Sequence, residues 1–148
     1  MKKNTFKAVL MIFLGLVLTT SCSKYKKFDN NEVIENTFTG SVIITSTGTD
    51  PAADFTGNED SGTYSFAWVN SGTVASLNFD ITAPSGSSVQ FIINDKRGKE
   101  VLNKTLNGGT AEDTFSGVSD EGKSGTWKVT IIFTNFTGDG SYSVHPGS

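Results

Sequence analysis

The sequence predicts an all-β protein: a single antiparallel β-sandwich, jelly-roll-like, of about eight strands, following an N-terminal signal segment and a short linker. Three observations predict it. Beyond residue 22 the chain is rich in Gly, Ser, Thr, Asn and Phe and poor in Leu, Ala and Arg, so helix formers are scarce. Several segments alternate apolar and polar residues with a period of two. Turn signals recur every roughly 8 to 14 residues, and no stretch after the signal reads as an amphipathic helix.

Taken in order, Phe38 to Thr45 reads as the first strand. Ser46 to Pro51 opens a turn-rich loop expected to run to about Ser61. Thr63 to Val69 alternates, placing Tyr64, Phe66 and Trp68 on one face. Asn70-Ser71-Gly72 turns the chain, and Val74 to Ile81 alternates with Leu77, Phe79 and Ile81 inward. Val89 to Ile93 and Glu100 to Leu106 flank a hairpin connection, Asn94 to Gly98, in which glycine supplies a positive φ. Thr114 to Val118 is a short strand. Thr126 to Thr134 carries the strongest alternation, with Trp127, Val129, Ile131 and Phe133 in phase. Gly138-Asp139-Gly140 reads as a turn into a last strand, Ser141 to His145.

The N-terminus is of a different kind. Lys2, Lys3 and Lys7 precede an uncharged apolar run of 11 residues, Ala8 to Leu18, then Thr19-Thr20-Ser21 and Cys22. This is the order of a secretory signal, and the run is shorter than the ~20 residues that span a bilayer. Cys22 is the one cysteine, so no intramolecular disulfide exists. The segment resembles the lipobox signals of bacterial lipoproteins. It departs from their pattern in having Thr19 third before the cysteine, with Leu18 one step earlier. The resemblance implies cleavage before Cys22 and lipid on its thiol, and two or more acyl chains anchor stably. The expected organisation is therefore signal peptide 1–21, lipidated cysteine and linker 22–37, and sandwich 38–148. Some Gram-negative lipoproteins carry an acidic surface-export tag after the cysteine. Lys24, Lys26 and Lys27 have the opposite sign, which points to a periplasmic domain on a lipid anchor, at the outer membrane rather than the inner.

After cleavage, nine basic residues face 15 acidic ones, a net charge of −6. Such a surface argues against nucleic acid and against anionic lipid as a ligand of the domain itself.

Three segments together resemble the bacterial pre-peptidase C-terminal domain. They are Asp60-Ser61-Gly62-Thr63-Tyr64-Ser65-Phe66, the strand–turn–strand Phe91 to Val101 with its Asp95-Lys96-Arg97-Gly98 turn, and Gly125-Thr126-Trp127 with Gly140-Ser141-Tyr142-Ser143-Val144. The convertase P-domain is a similar sandwich with a Gly-x-Trp strand. The first resemblance implies a jelly-roll-like sandwich over roughly residues 57 to 145 that assists, binds or spaces. That family usually follows a secreted peptidase, and none is present here, so no activity is implied.

Candidate sites are few. Asp50, Asp54, Glu59 and Asp60 fall in the expected loop and could hold a structural calcium ion, which takes six to eight oxygen ligands. Asp120-Glu121 is a second acidic pair. Trp68, Trp127, Tyr64 and Tyr142 could form a sugar-stacking platform, but their phase assigns them to the core, with Trp68 at a strand end as the expected exception and ligand-binding candidate. His145 is the one histidine, Gly-x-Ser-x-Gly is absent, and zinc would need more His or Cys ligands than the chain has. The expectation is a membrane-tethered, non-enzymatic accessory module binding a glycan or an envelope protein. The alternative is a structural or assembly subunit of a larger envelope complex. An exposed aromatic row would favour the sugar, an open edge strand or apolar patch the assembly role.

Overall fold

The computed structural model describes residues 30–109 and 113–148. The signal segment, Cys22 and most of the expected linker lie outside them. Eight strands follow in order: β1 Val33–Asn36, β2 Ser41–Ser46, β3 Ala52–Asn70, β4 Ala75–Thr82, β5 Ser88–Asn94, β6 Glu100–Asn107, β7 Thr114–Val118 and β8 Gly125–Pro146.

Two of these strands make the architecture. β3 has 19 residues and β8 has 22, and they pair antiparallel along nearly their whole length. Both bend midway. The first half of β3 and the second half of β8 join β2, β4 and β7 in one five-stranded sheet, ordered β2-β3-β8-β4-β7. The other halves join β1, β5 and β6 in the second, ordered β1-β3-β8-β5-β6. One hydrogen-bonded surface is thus folded over on itself, as where strands cross between packed sheets through bulges and bends.

The bend has identifiable causes. The β3–β8 register shifts between Gly57 and Asp60 and again between Asp60 and Gly62. Glu59 and Asn135 adopt φ of 58° and 45°, and Gly138 has φ of 128°. Asp60 holds the corner by accepting hydrogen bonds from the Thr39 hydroxyl and the Asn58 N–H. These bonds hold its carboxyl below the usual carboxylate range.

The core lies between the two sheets. Phe79 of β4 meets Phe91 of β5 with ring centroids 4.6 Å apart, and Tyr142 of β8 meets Phe91 at 5.2 Å. Tyr64, Phe66, Leu77, Phe79, Ile81, Val129, Ile131 and Phe133 are buried, as their alternation predicts.

Three expectations are corrected. The expected linker reaches residue 37, but Val33–Asn36 pairs with β3, and Phe38 stacks on Phe133 at 3.7 Å. The loop expected to run to about Ser61 is strand from Ala52, because Ala53 and Phe55 point into the core. The turn expected at 138–140 is the bend inside β8.

A cleft at the open edge of the sandwich

On one side the sandwich does not close. Among the described residues, β2 ends the first sheet and pairs only with β3, while β1 ends the second. β1 is four residues long, so the two edges leave a cleft between them. Its floor is Tyr64, Phe66 and Tyr142, and its rim includes Asn31, Ile44 and Pro51. Its cavity volume is about 10 Å³, room for about one water molecule and far below the ~300 Å³ at which small-molecule pockets begin.

Local sequence explains the arrangement. In the β2–β3 register Ile44 sits opposite Ala53 and Val42 opposite Phe55, so both face inward. Val42 packs against the core, but Ile44 stays 49% exposed among the described residues. Ile43 faces outward beside Asp54 and is 60% exposed. Asn30 fastens one end of the cleft. Its side chain donates to Gly48 O at 2.9 Å and accepts from Val69 N–H at 2.7 Å.

Tyr64 and Tyr142 are each only 5% exposed and line the cleft. The buried Asn31 Oδ1 beside them has no hydrogen-bond partner among the described residues. Burial raises the Tyr64 pKa. Burial first, and then the neighbouring Tyr64, push Tyr142 far above the ordinary phenol range. Both phenols therefore stay neutral and can only donate or accept hydrogen bonds. Among the described residues that line the cleft there is no carboxylate, histidine, lysine or cysteine.

The residues singled out in the sequence lie elsewhere. Trp68 is wholly buried, which corrects its assignment as an exposed ligand platform. The turn after β2 folds over it, its indole N–H donates to Thr49 O at 3.1 Å, and Trp127 packs edge-on at 5.8 Å. The four loop carboxylates are not brought together. Asp50 is in the turn before β3, Asp54 is on the outer face of the first sheet, and Glu59 and Asp60 are at the corner. Among the described residues no three His, Cys, Asp or Glu side chains group so as to hold a metal ion. Asp120 and Glu121 are exposed in the loop before β8, and His145 sits on the outer face opposite Ser76. Sequence reading missed the β2 edge. Three consecutive aliphatic residues, Val42-Ile43-Ile44, look like a strand covered on both faces, and nothing local marks them as an edge.

No protein-family model and no curated protein matches this chain. Among solved structures it is similar to the carbohydrate-binding module TmCBM61 in complex with beta-1,4-galactotriose. That likeness has a TM-score of 0.48 and 15% identity, over 66% of this chain and 71% of that one. The C-terminal CBM6 of LamC from Zobellia galactanivorans gives a TM-score of 0.41 and 11% identity over 80% of this chain and 99% of that one. The enzymatically active domain of bacteriophage CBA120 tailspike protein 4 gives 0.42 and 12% over 83% and 19%. Likeness at this distance carries neither a ligand nor a site to this chain.

Proposed function

We propose that the chain is a non-enzymatic envelope lipoprotein, anchored through lipid on Cys22, whose sandwich binds another polypeptide along the open edge of β2. The observation that carries this reading is the state of that edge. Ser41-Val42-Ile43-Ile44-Thr45-Ser46 has no charge and no proline, and outward-facing Ile43 and inward-facing Ile44 are both exposed, at 60% and 49%. Unpaired strand edges invite further pairing, and proteins usually guard them with charge, proline or short length. The other three edges are guarded in this way. β1 is four residues long and carries Glu35, and β6 carries Glu100 and Lys104. β7 has five residues, and the Lys104 ammonium lies over its Phe115 ring, 5.3 Å from the centroid. An added strand would pair with the free backbone groups of β2 and cover Ile44 and the cleft mouth, the mode of recognition known as β-augmentation.

A glycan reading draws on a different observation, the cleft-lining phenols of Tyr64 and Tyr142 and the unpartnered Asn31 Oδ1, which could meet a sugar hydroxyl. Against it, no aromatic ring among the described residues is exposed to stack on a pyranose.

A photoreactive phenylalanine analogue at position 43 of the full chain tests the proposal, with position 103 on the far β6 edge as control. The expected result is a protein adduct at 43 and none at 103, in the membrane fraction while Cys22 is present and in the soluble fraction for Cys22→Ser. Equal labelling at both positions would refute the edge. A membrane-bound Cys22→Ser chain would refute the anchor. An adduct that carries sugar in place of protein would favour the glycan.

A further inference from the structure

The proposed edge has a property of its own: it is complementary to itself. We infer that the strand added to β2 is β2 of a second copy of this chain, running antiparallel, with Ile43 opposite Ile43 of that copy. The inference rests on the β2-edge reading above and names its partner.

Symmetry restricts the register. Two copies joined edge to edge by antiparallel strands are related by a two-fold axis perpendicular to the sheet, and each copy shows the same patch. Outward side chains must then lie opposite outward ones, because neighbours on a ladder share a face. In β2 the outward residues are Ser41, Ile43 and Thr45, and the inward ones are Val42 and Ile44. A pairing centred on Ile43 sets Ile43 against Ile43, Ser41 against Thr45, and Val42 against Ile44. Aliphatic side chains meet aliphatic ones, and hydroxyls meet hydroxyls. Centring on Ile44 sets Ile43 against Thr45 and Val42 against Ser46, which mismatches both pairs. The strand therefore prefers one register.

Charge points the same way. The mature chain carries −6, so two copies repel unless the surfaces that meet are neutral. β2 is neutral throughout. The nearest outward carboxylate, Asp54, is one strand away, directly opposite Ile43. In the dimer the two Asp54 carboxylates would stand three strand spacings apart, about 14 Å. That exceeds the ~8 Å screening length at physiological salt. Ile43, at 60%, is the most exposed of the large exposed hydrophobic residues, and this pairing places it at the centre. The product is a continuous ten-stranded sheet that crosses the axis. Confinement of two lipid-anchored copies to one membrane raises their effective concentration and favours the pairing.

Disulfide trapping in the membrane-anchored full chain tests the inference, with the wild-type chain controlling for Cys22. Residues directly opposite on an antiparallel ladder have Cα atoms about 4.5 to 5.5 Å apart, within disulfide range. Diagonal neighbours lie about 7 to 8 Å apart, outside it. Mild oxidation is expected to convert Ile43→Cys to a species of twice the monomer mass. Ile44→Cys should remain monomeric, and the double variant Val42→Cys, Ile44→Cys should cross-link. Dimer yields equal at 43 and 44 would overturn the inference. So would attachment of the Ile43→Cys variant, through its new thiol, to a different protein, although the edge itself would then stand as the binding surface. No adduct of any kind at position 43 would overturn both the second copy and the β2 edge.

Discussion

Asp95 spends both carboxylate oxygens on backbone N–H groups. Oδ1 accepts from Arg97 and Lys99, and Oδ2 accepts from Lys123, each at 2.8 Å. One side chain thus shapes the β5–β6 turn and ties it to the loop before β8. Its burial pushes the carboxyl up, but the N–H donors of Lys123, Lys99 and Arg97 and the Lys99 charge outweigh it, and the pKa lies below the usual range. A folded-state pKa below the unfolded value of about 3.9 stabilises the fold above that value, and the contribution is lost as pH falls through the folded pKa. Asp95→Asn is therefore expected to melt lower than wild type at pH 7, with the gap narrowing as pH drops below about 4. Thermal melts of both chains over this range check it, and a gap that stays constant would contradict the role. The sequence shows the Asp-x-x-Gly turn here but not the reach to Lys123, which is 28 residues away. Trp68 shows the same limit from the other side. Its phase with Tyr64 and Phe66 is legible, but the turn that covers it comes from residues 47–50.

At the scale of elements, positive-φ residues define a corner and a hairpin alike. Gly57 to Gly62 and Gly138 to Gly140 carry turn chemistry, and in sequence both read as connections between strands. What decides otherwise is pairing on either side of them, since β3 and β8 stay in register before and after the bend. That pairing is long-range and leaves no local trace. The alternating stretches on each side are legible because each buries one face, as in β4, where Leu77, Phe79 and Ile81 are buried. At the bend Gly138 has φ of 128°, and a Cβ there would collide with the Thr82 carbonyl oxygen. Gly138→Ala is expected to destabilise the domain by more than about 1 kcal/mol. Urea unfolding read by far-ultraviolet circular dichroism measures this. An unchanged midpoint would mean that the corner tolerates a side chain and that the strands do not bend as described.

For the whole molecule the telling contrast is between its guarded edges and its unguarded one. Fold class follows from alternation and turn spacing, because those report burial of one face per strand. Which strands end each sheet does not follow, because strand order is set by partners far apart in sequence. The site comes from that order: among the described residues β2 lies at the edge because β3, its partner, has its other side taken by β8, and the cleft opens beside the short β1. The central claim is that β2 is a pairing surface. Hydrogen–deuterium exchange of the full chain tests it most directly, in membranes at high surface density and after dilution in detergent. The expected result is that alternate amides of Ser41–Ser46, those pointing away from β3, exchange more slowly when the chain is crowded, while the β6 edge exchanges equally in both states. Exchange at β2 that is indifferent to crowding would contradict the claim.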